Sequence, residues 1–305
     1  MPSVSSLEEA AAALAAAQAE GRQVRIGDDV TAHGLDRILE HDPGDLTCTV
    51  EAGVRLSELR AALAASGQRL SLDPPGDPTI GALLAQNVSG PLRHRFGAPR
   101  DLVLGVTLVL ADGTIANAGG KVVKNVAGYD LARLVCGSEG RLALIGRASF
   151  RLHPLPKSTH TLVIETEDVA AVAAWLVHSQ LQPSALDVLH PGRVAVLFEG
   201  SDRAVAAQLA AAQASVGGAA GDASVWEESR ARQGAARARV RFAPADLVKV
   251  LSTLDEAVVR PSIGVAYAAH QAPSDTVSQG DPDEARKRLV ERIARELDPQ
   301  RVLSA

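Results

Sequence analysis

The chain is poor in aromatic side chains, with four phenylalanines, two tyrosines and two tryptophans among 305 residues. So few rings cannot build an aromatic cage, and the cores fall to aliphatic side chains and alanine. Only two cysteines occur, Cys48 and Cys136, each inside an apolar run. They set no disulfide framework and read as buried free thiols in a cytoplasmic setting. His-x-His and Cys-x-x-Cys spacings are missing, which argues against zinc and iron–sulfur sites. A basic excess is missing too, since the formal net charge is −5, and this excludes a general nucleic-acid binder. The longest apolar run, around Leu102–Ala111, has strand length and falls short of the ~20 residues that span a bilayer. No transmembrane segment is expected, and Met1-Pro2-Ser3-Val4 lacks the basic and apolar regions of a signal peptide. The length allows two domains, each with its own core.

Glycine and proline, by contrast, concentrate between Asp73 and Pro154. The stretch opens Asp73-Pro74-Pro75-Gly76-Asp77-Pro78-Thr79-Ile80-Gly81, with three prolines and two glycines in nine residues. Each proline removes a donor and fixes φ, so this is a fixed loop rather than a helix or central strand. A small-residue turn or short helix follows from Gly81 through Asn87 and Ser89, ending at Gly90. Asp101–Leu110 reads as a buried strand, and Ala111-Asp112-Gly113-Thr114 as a tight hairpin into Ile115. Then come Lys124-Asn125-Val126-Ala127-Gly128-Tyr129-Asp130, and Gly137-Ser138-Glu139-Gly140 ahead of the strand Leu142–Ile145. Glycine loops at strand ends let main chain approach a ligand and gather N–H groups without desolvating a lysine. That arrangement suits an extended, phosphate-bearing ligand of the dinucleotide kind.

Pro74-Pro75-Gly76 with Thr79-Ile80-Gly81, Ser89-Gly90-Pro91, Phe96-Gly97-Ala98-Pro99-Arg100-Asp101 and the Lys124–Asp130 run occur in order at close spacing. Together they resemble the FAD-binding (PCMH-type) domain of the vanillyl-alcohol oxidase/p-cresol methylhydroxylase superfamily. The Lys124–Asp130 run is similar to the branch holding bacterial glycolate oxidase subunits, their FAD-binding subunits above all, and D-lactate dehydrogenases. The resemblance is fullest over residues 46–156 and partial over 1–45. It implies an α+β fold with a PCMH-type FAD domain in two subdomains over residues 1–156. Beyond residue 156, where the resemblance is weak, the alternation of strand and helix itself suggests a smaller ferredoxin-like αβ cap over 157–270, and 271–305 reads as a polar linker and C-terminal helix resembling the family's return to the FAD domain. The resemblance implies non-covalent FAD held by Pro74, Pro75, Gly76, Thr79, Ile80, Gly81, Asn87, Ser89, Gly90, Lys124, Asn125, Gly128, Tyr129, Gly140, Leu142 and Ile145. The implied chemistry is hydride transfer from a small 2-hydroxy acid, such as glycolate or D-lactate, to flavin. The implied partners are a second flavosubunit and an iron–sulfur subunit, which would place a cytoplasmic protein peripherally at the inner membrane. No catalytic base is identified. A second reading stays open: a non-catalytic subunit that keeps the fold, has weak or lost FAD binding and serves assembly.

The chain departs from that pattern at Gly27-Asp28-Asp29, where the family has a glycine-rich pyrophosphate turn. Two carboxylates at ~4 Å from a diphosphate would repel it by several kcal/mol at an effective dielectric near 20. For FAD to bind in the family manner they must turn outward or be compensated by a cation or a base such as Arg25, and replacing both by glycine is expected to tighten FAD binding, or to create it. Ala82 stands where a second glycine is preferred, and the family's Asn-Pro-Gly ending is absent.

Elsewhere the expected elements are ordinary. Ser6 with Glu9 forms a capping box for an alanine-rich helix to Ala19, which Gly21 ends. Leu35–Glu40 and Leu46–Ala52 form a hairpin, and Ser57 caps a helix over Glu58–Ser66. Beyond Pro154 and Pro156 the expected strands are Leu162–Ile164, Ala185–Leu189, Ala195–Phe198, Ala238–Phe242 and Ile263–Ala268. Helices are expected over Asp168–Gln180, Arg203–Ser215, Pro244–Leu254 and Asp283–Leu297, with Gly217–Gly221 a flexible loop.

Overall fold

A computed structural model describes residues 3–120, 130–270 and 284–304. The first part runs α1 (Leu7–Ala19), β1 (Val24–Arg25), β2 (Ile38–Asp42), β3 (Thr47–Glu51), α2 (Leu56–Ala64) and β4 (Gln68–Arg69). It continues α3 (Ile80–Gln86), α4 (Arg93–Phe96), α5 (Pro99–Leu102), β5 (Val103–Val109), β6 (Ile115–Gly119), α6 (Leu131–Leu134), β7 (Leu144–Arg151) and β8 (His153–Pro154). Five strands pair antiparallel in the order β2-β3-β7-β5-β6. Val50, Ala148, Phe150 and Val106 from this sheet share a core with Leu56, Leu59 and Leu63 of α2 and with Ile80, Leu83 and Leu84 of α3. A smaller core joins Leu7, Ala10 and Leu14 of α1 to Val24, Val109, Leu144, Val302 and Leu303.

Local chemistry explains the element ends. Ser6 caps α1 by accepting from the Glu9 N–H at 3.0 Å, but the Glu9 carboxylate returns to Ser5 N at 2.8 Å rather than to Ser6. Helix α2 begins at Leu56, before Ser57, because Asp77 of the proline-rich loop supplies the cap. Its carboxylate accepts from Ser57 N at 2.9 Å and Ser57 Oγ at 2.8 Å. The loop is thereby stapled to the helix it precedes in space. The segment from Gly81 stops at Asn87 rather than Gly90, since Asn87 adopts the left-handed conformation that closes α3.

The second part runs β9 (Ser158–Glu165), α7 (Val169–His178), β10 (Ala185–His190), β11 (Arg193–Gly200), α8 (Asp202–Val216), β12 (Ala219–Gly221) and α9 (Ser224–Ala235). Then follow β13 (Ala238–Arg241), α10 (Leu247–Leu251), β14 (Ala257–Arg260), β15 (Val265–Ala268), α11 (Glu284–Leu297) and β16 (Leu303–Ser304). Seven strands pair antiparallel in the order β12-β9-β11-β10-β14-β15-β13. The segment β9-α7-β10-β11-α8-β12 is a ferredoxin-like βαββαβ unit, and the last three strands extend it. Helices α7, α8 and α10 cover one face through Leu176, Val205 and Val250. The opposite face meets Val225 and Trp226 of α9 and Leu92 of the first part. The mixed α+β architecture is the expected one.

Three expectations for this part are corrected. Residues 219–221 are not loop but the edge strand β12, paired with Val163–Thr161. The helix after Pro244 is a 3₁₀ turn followed by the short α10. Helix α9 and strand β14 were not expected at all. At the other end, β16 returns to the first part and pairs parallel with β1.

A neutral groove and a charged seam

A groove of ≈ 510 Å³ opens in the first part, walled by the turn after β1, the start of α3 and the Glu139–Ile145 segment. Eight of its sixteen wall residues are glycine or alanine, and only His33 and Glu139 carry ionisable side chains. The Glu139 carboxylate is taken up by Arg141 at 2.8 Å. Gly140 is required here twice over: its φ is +79°, and a Cβ would lie 2.8 Å from the Ile26 Cβ across the groove wall. The N–H groups of buried Gly140 and Ala143 have no acceptor among the described residues. Buried amides left this way call for an acceptor from outside the chain. The first amides of α3 are not available for this, because Ile80 N donates to Val54 O at 2.9 Å and Gly81 N to Ala52 O at 2.7 Å.

The carboxylates of Asp28 and Asp29 do not line the groove. Asp29 Oδ2 accepts from Arg25 N at 2.8 Å, and Asp28 pairs with the Arg25 guanidinium at 3.4 Å. Both are spent on the turn's own backbone and its neighbouring cation.

Where the two parts meet lies a seam of a different kind. Arg260 and Asp187 are both buried, at 1% and 0% exposure. Arg260 Nε donates to Asp187 Oδ1 at 3.2 Å, Nη2 to Gln233 Oε1 at 2.7 Å, and Nη1 to the Ser89 carbonyl at 3.4 Å. Gln233 Nε2 also donates to Ser89 O, at 2.9 Å, and Ser229 Oγ donates to Asp187 Oδ2. Arg69 holds Glu199 with two bonds, at 2.7 and 2.6 Å, and together with the charge of Arg69 they keep this carboxyl below its usual range although burial opposes it. Asp73 Oδ1 accepts from Leu92 N at 3.0 Å, and its Oδ2 lies 3.8 Å from the Arg230 guanidinium. Burial pushes its carboxyl up to about 7. His94 donates to or accepts from Ser262 Oγ at 2.7 Å, and burial lowers its pKa. Beside this network the Arg260 and Arg239 guanidiniums lie 5.1 and 5.9 Å from the Tyr267 ring centre. Arg239 pairs with no carboxylate among the described residues. Arg93, lowered by burial, donates to Ser89 Oγ at 3.4 Å.

The sixteen residues implied to hold cofactor are thus divided. Thr79, Gly81, Gly140 and Ile145 line the groove. Ile80 and Leu142 are buried behind it, and Asn87 accepts from Arg100 N at 3.2 Å. Pro74 is buried and Gly76 is an exposed turn residue at φ +69°. Pro75 packs toward Gly234 of α9, Ser89 joins the seam network, and Gly90 leaves room for the Asp73 backbone. Lys124, Asn125, Gly128 and Tyr129 lie outside the described residues. Sequence reasoning missed Asp187, Ser229, Gln233 and Arg260. Their signal is present: Asp187 interrupts an otherwise apolar strand, and Arg260 follows Ala257-Val258-Val259. A charge at an apolar strand position demands a buried partner.

Among the described residues no helix is long and apolar enough to cross a membrane, and no cluster of His, Cys, Asp or Glu could hold a metal ion. The family described as FAD binding domain matches residues 29–119. The chain therefore carries a PCMH-type FAD-binding domain, with FAD as its cofactor. Its relatives include glycolate oxidase subunit GlcE of Escherichia coli strain K12, 32% identical over 71% of this chain and 63% of that protein. Glycolate oxidase subunit GlcD of Bacillus subtilis strain 168 is 36% identical over 51% of this chain and 34% of that protein. The mitochondrial D-lactate dehydrogenase [cytochrome] 1 of Saccharomyces cerevisiae is 31% identical over 59% of this chain and 32% of that protein. The chain thus spans between about a third and 63% of these relatives. In three dimensions it is similar to an alkyldihydroxyacetonephosphate synthase, with a TM-score of 0.74 over 98% of this chain and 74% of that one, at 16% identity. The residues present fit FAD. Small walls admit a diphosphate close to main chain, the Gly140 and Ala143 amides lack an acceptor among the described residues, and the two carboxylates that would oppose it are turned away.

Proposed function

We propose that this chain is the FAD-holding component of a flavoenzyme of the glycolate oxidase type, oxidising a small 2-hydroxy acid such as glycolate or D-lactate. The observation that carries the reading is the likeness to a glycolate oxidase subunit across both parts of the chain. The Gly140 and Ala143 amides would hold the diphosphate end, with Thr79 and Gly81 as small wall beside it and Ile26 and Ile145 as apolar wall. When bound, FAD supplies the acceptor for the hydride that leaves C2 of the hydroxy acid. Arg93 and Arg239, near Tyr267, offer positive charge for a substrate carboxylate, since no ion pair among the described residues neutralises Arg239 and burial strengthens the field of Arg93. The oxidised acid would leave as product, and the electrons of the reduced flavin would pass onward through a second flavosubunit and an iron–sulfur subunit.

The seam favours a second reading, in which this chain holds FAD and assembles the complex while a partner turns over substrate. The groups there that could act as a base are engaged: His94 by Ser262, Asp187 by Arg260 and Ser229. One experiment separates the two. The FAD-loaded chain is mixed anaerobically with glycolate and then D-lactate, alone and with its co-expressed partners, while the oxidised-flavin absorbance is followed. Bleaching in the chain alone supports the first reading. Bleaching only with partners supports the second, and none in either sinks the 2-hydroxy-acid assignment.

A further inference from the structure

We infer that Asp298, near the far end of the chain, is a positioning residue for the FAD groove. Strand β1 is two residues long, and its only ladder partner among the described residues is β16. Val24 N donates to Val302 O at 2.6 Å, with Val24 opposite Leu303 and Arg25 opposite Ser304. What fixes β16 is the Asp298 carboxylate, which is 5% exposed. Its Oδ1 accepts from Val302 N at 2.8 Å and its Oδ2 from Leu303 N at 2.7 Å. Arg301, at φ +55°, closes the same turn by donating its N–H to Asp298 O at 3.1 Å. A left-handed non-glycine residue persists only where its surroundings over-determine it.

From β1 the constraint passes straight into the groove wall. Arg25 O accepts from Asp29 N at 2.8 Å, Arg25 N donates to Asp29 Oδ2, and Gly27 N donates to Val30 O at 2.9 Å. This fold of the turn sets Ile26 against Gly140 and sets Gly27 in the wall. With β16 loosened, the Val24–Arg25 strand loses its ladder while the turn keeps its own bonds, so Ile26 and Gly27 move as a unit and lose their fixed distance from the Gly140 and Ala143 amides. Asp298 itself touches none of these groups. Its effect on FAD runs through β16, β1 and the turn.

The test uses the full chain with Asp298→Ala and Asp298→Asn. Two hydrogen bonds to one carboxylate are at stake, so Asp298→Ala is expected to weaken FAD binding about tenfold or more, and Asp298→Asn, which keeps one acceptor, by less. FAD affinity is read by flavin fluorescence titration. The rise in Tm on adding saturating FAD is read beside it, because that rise reports binding to the native state. A positioning role predicts a smaller FAD-dependent rise in the order wild type, Asn, Ala. A purely structural role predicts a lower Tm without FAD and an unchanged rise. Wild-type affinity in a folded Asp298→Ala protein overturns the inference. If Asp298→Ala fails to fold, the Asn variant decides alone: equal affinity to wild type, with its rise in Tm intact, overturns the inference.

Discussion

The groove wall carries two ionisable side chains, His33 and Glu139, whereas the seam gathers Arg260, Asp187, Arg69, Glu199 and Asp73 within a few strands of one another. Yet the groove leaves the Gly140 and Ala143 amides without an acceptor among the described residues, whereas the seam's carboxylates Asp187, Glu199 and Asp73 each meet an arginine. Polarity alone therefore does not mark a ligand site. A charged region whose groups satisfy each other is a joint, and a nearly neutral one with orphaned amides is a receptor. The two need different perturbations to fail.

The largest effect is expected at the joint. Arg260→Leu strands the Asp187 carboxylate in a buried site and should cost about 3–5 kcal/mol of unfolding free energy. Adding Asp187→Leu should recover a good part of it, since a well-packed apolar pair often replaces a buried ion pair without loss. Urea unfolding of the two variants checks this, and a double variant no better than the single one would break the comparison. Next comes Gly140→Ala in the groove. A side chain at φ +79° pressed on Ile26 should cost about 1–3 kcal/mol, roughly 5- to 150-fold in FAD affinity, with unfolding in the absence of FAD moved less.

A pH effect separates the regions further. The Asp73 carboxyl, at 3.8 in its ordinary setting, is raised to about 7 by burial. Between those values the folded chain holds a proton that the unfolded chain has released, so stability falls as pH rises from 4 to 7 and levels beyond. Asp73→Asn should flatten that slope and raise stability at pH 8, which unfolding curves at pH 5 and 8 measure. An unchanged slope would show that the seam tolerates the Asp73 charge. The smallest effect is at the β1 turn. Because Asp28 and Asp29 serve Arg25 rather than face the groove, Asp28→Gly with Asp29→Gly should weaken FAD binding slightly, within about twofold, as exposed ion pairs contribute ~0–1 kcal/mol. A fluorescence titration that instead finds tightening would restore the repulsion expected from the sequence.

Four of the groove's wall residues, Thr79, Gly81, Gly140 and Ile145, were legible because their signals are local. Positive-φ glycines, a proline-fixed loop and an aspartate at a turn write their conformation into a few adjacent residues. The joint was not legible. Helix α9 buries Ser229 and Gln233 as well as Val225 and Trp226, so its sequence shows no apolar stripe at helical spacing. Strand β12 is made of alanines and glycine next to Gly217-Gly218, and pairing with β9, not propensity, makes it a strand. Arg260 reads as surface until a carboxylate 73 residues earlier is brought beside it. Such partners are set by topology.

The pairing of β1 with β16 also orders events in time. Gln23 and Arg301, which flank it, stand 278 residues apart in sequence, and contacts at such separation form late because the intervening chain must first be closed into a loop. On a ribosome the five-stranded sheet can assemble while the second sheet is still being made, since domains fold as they emerge. The turn that walls the flavin groove cannot take its final place until residue 304 is available. Cofactor loading is therefore a last step, taken by a chain whose two sheets are already built, and a nascent chain stalled between β15 and α11 is expected to be folded in its sheets and to retain flavin poorly.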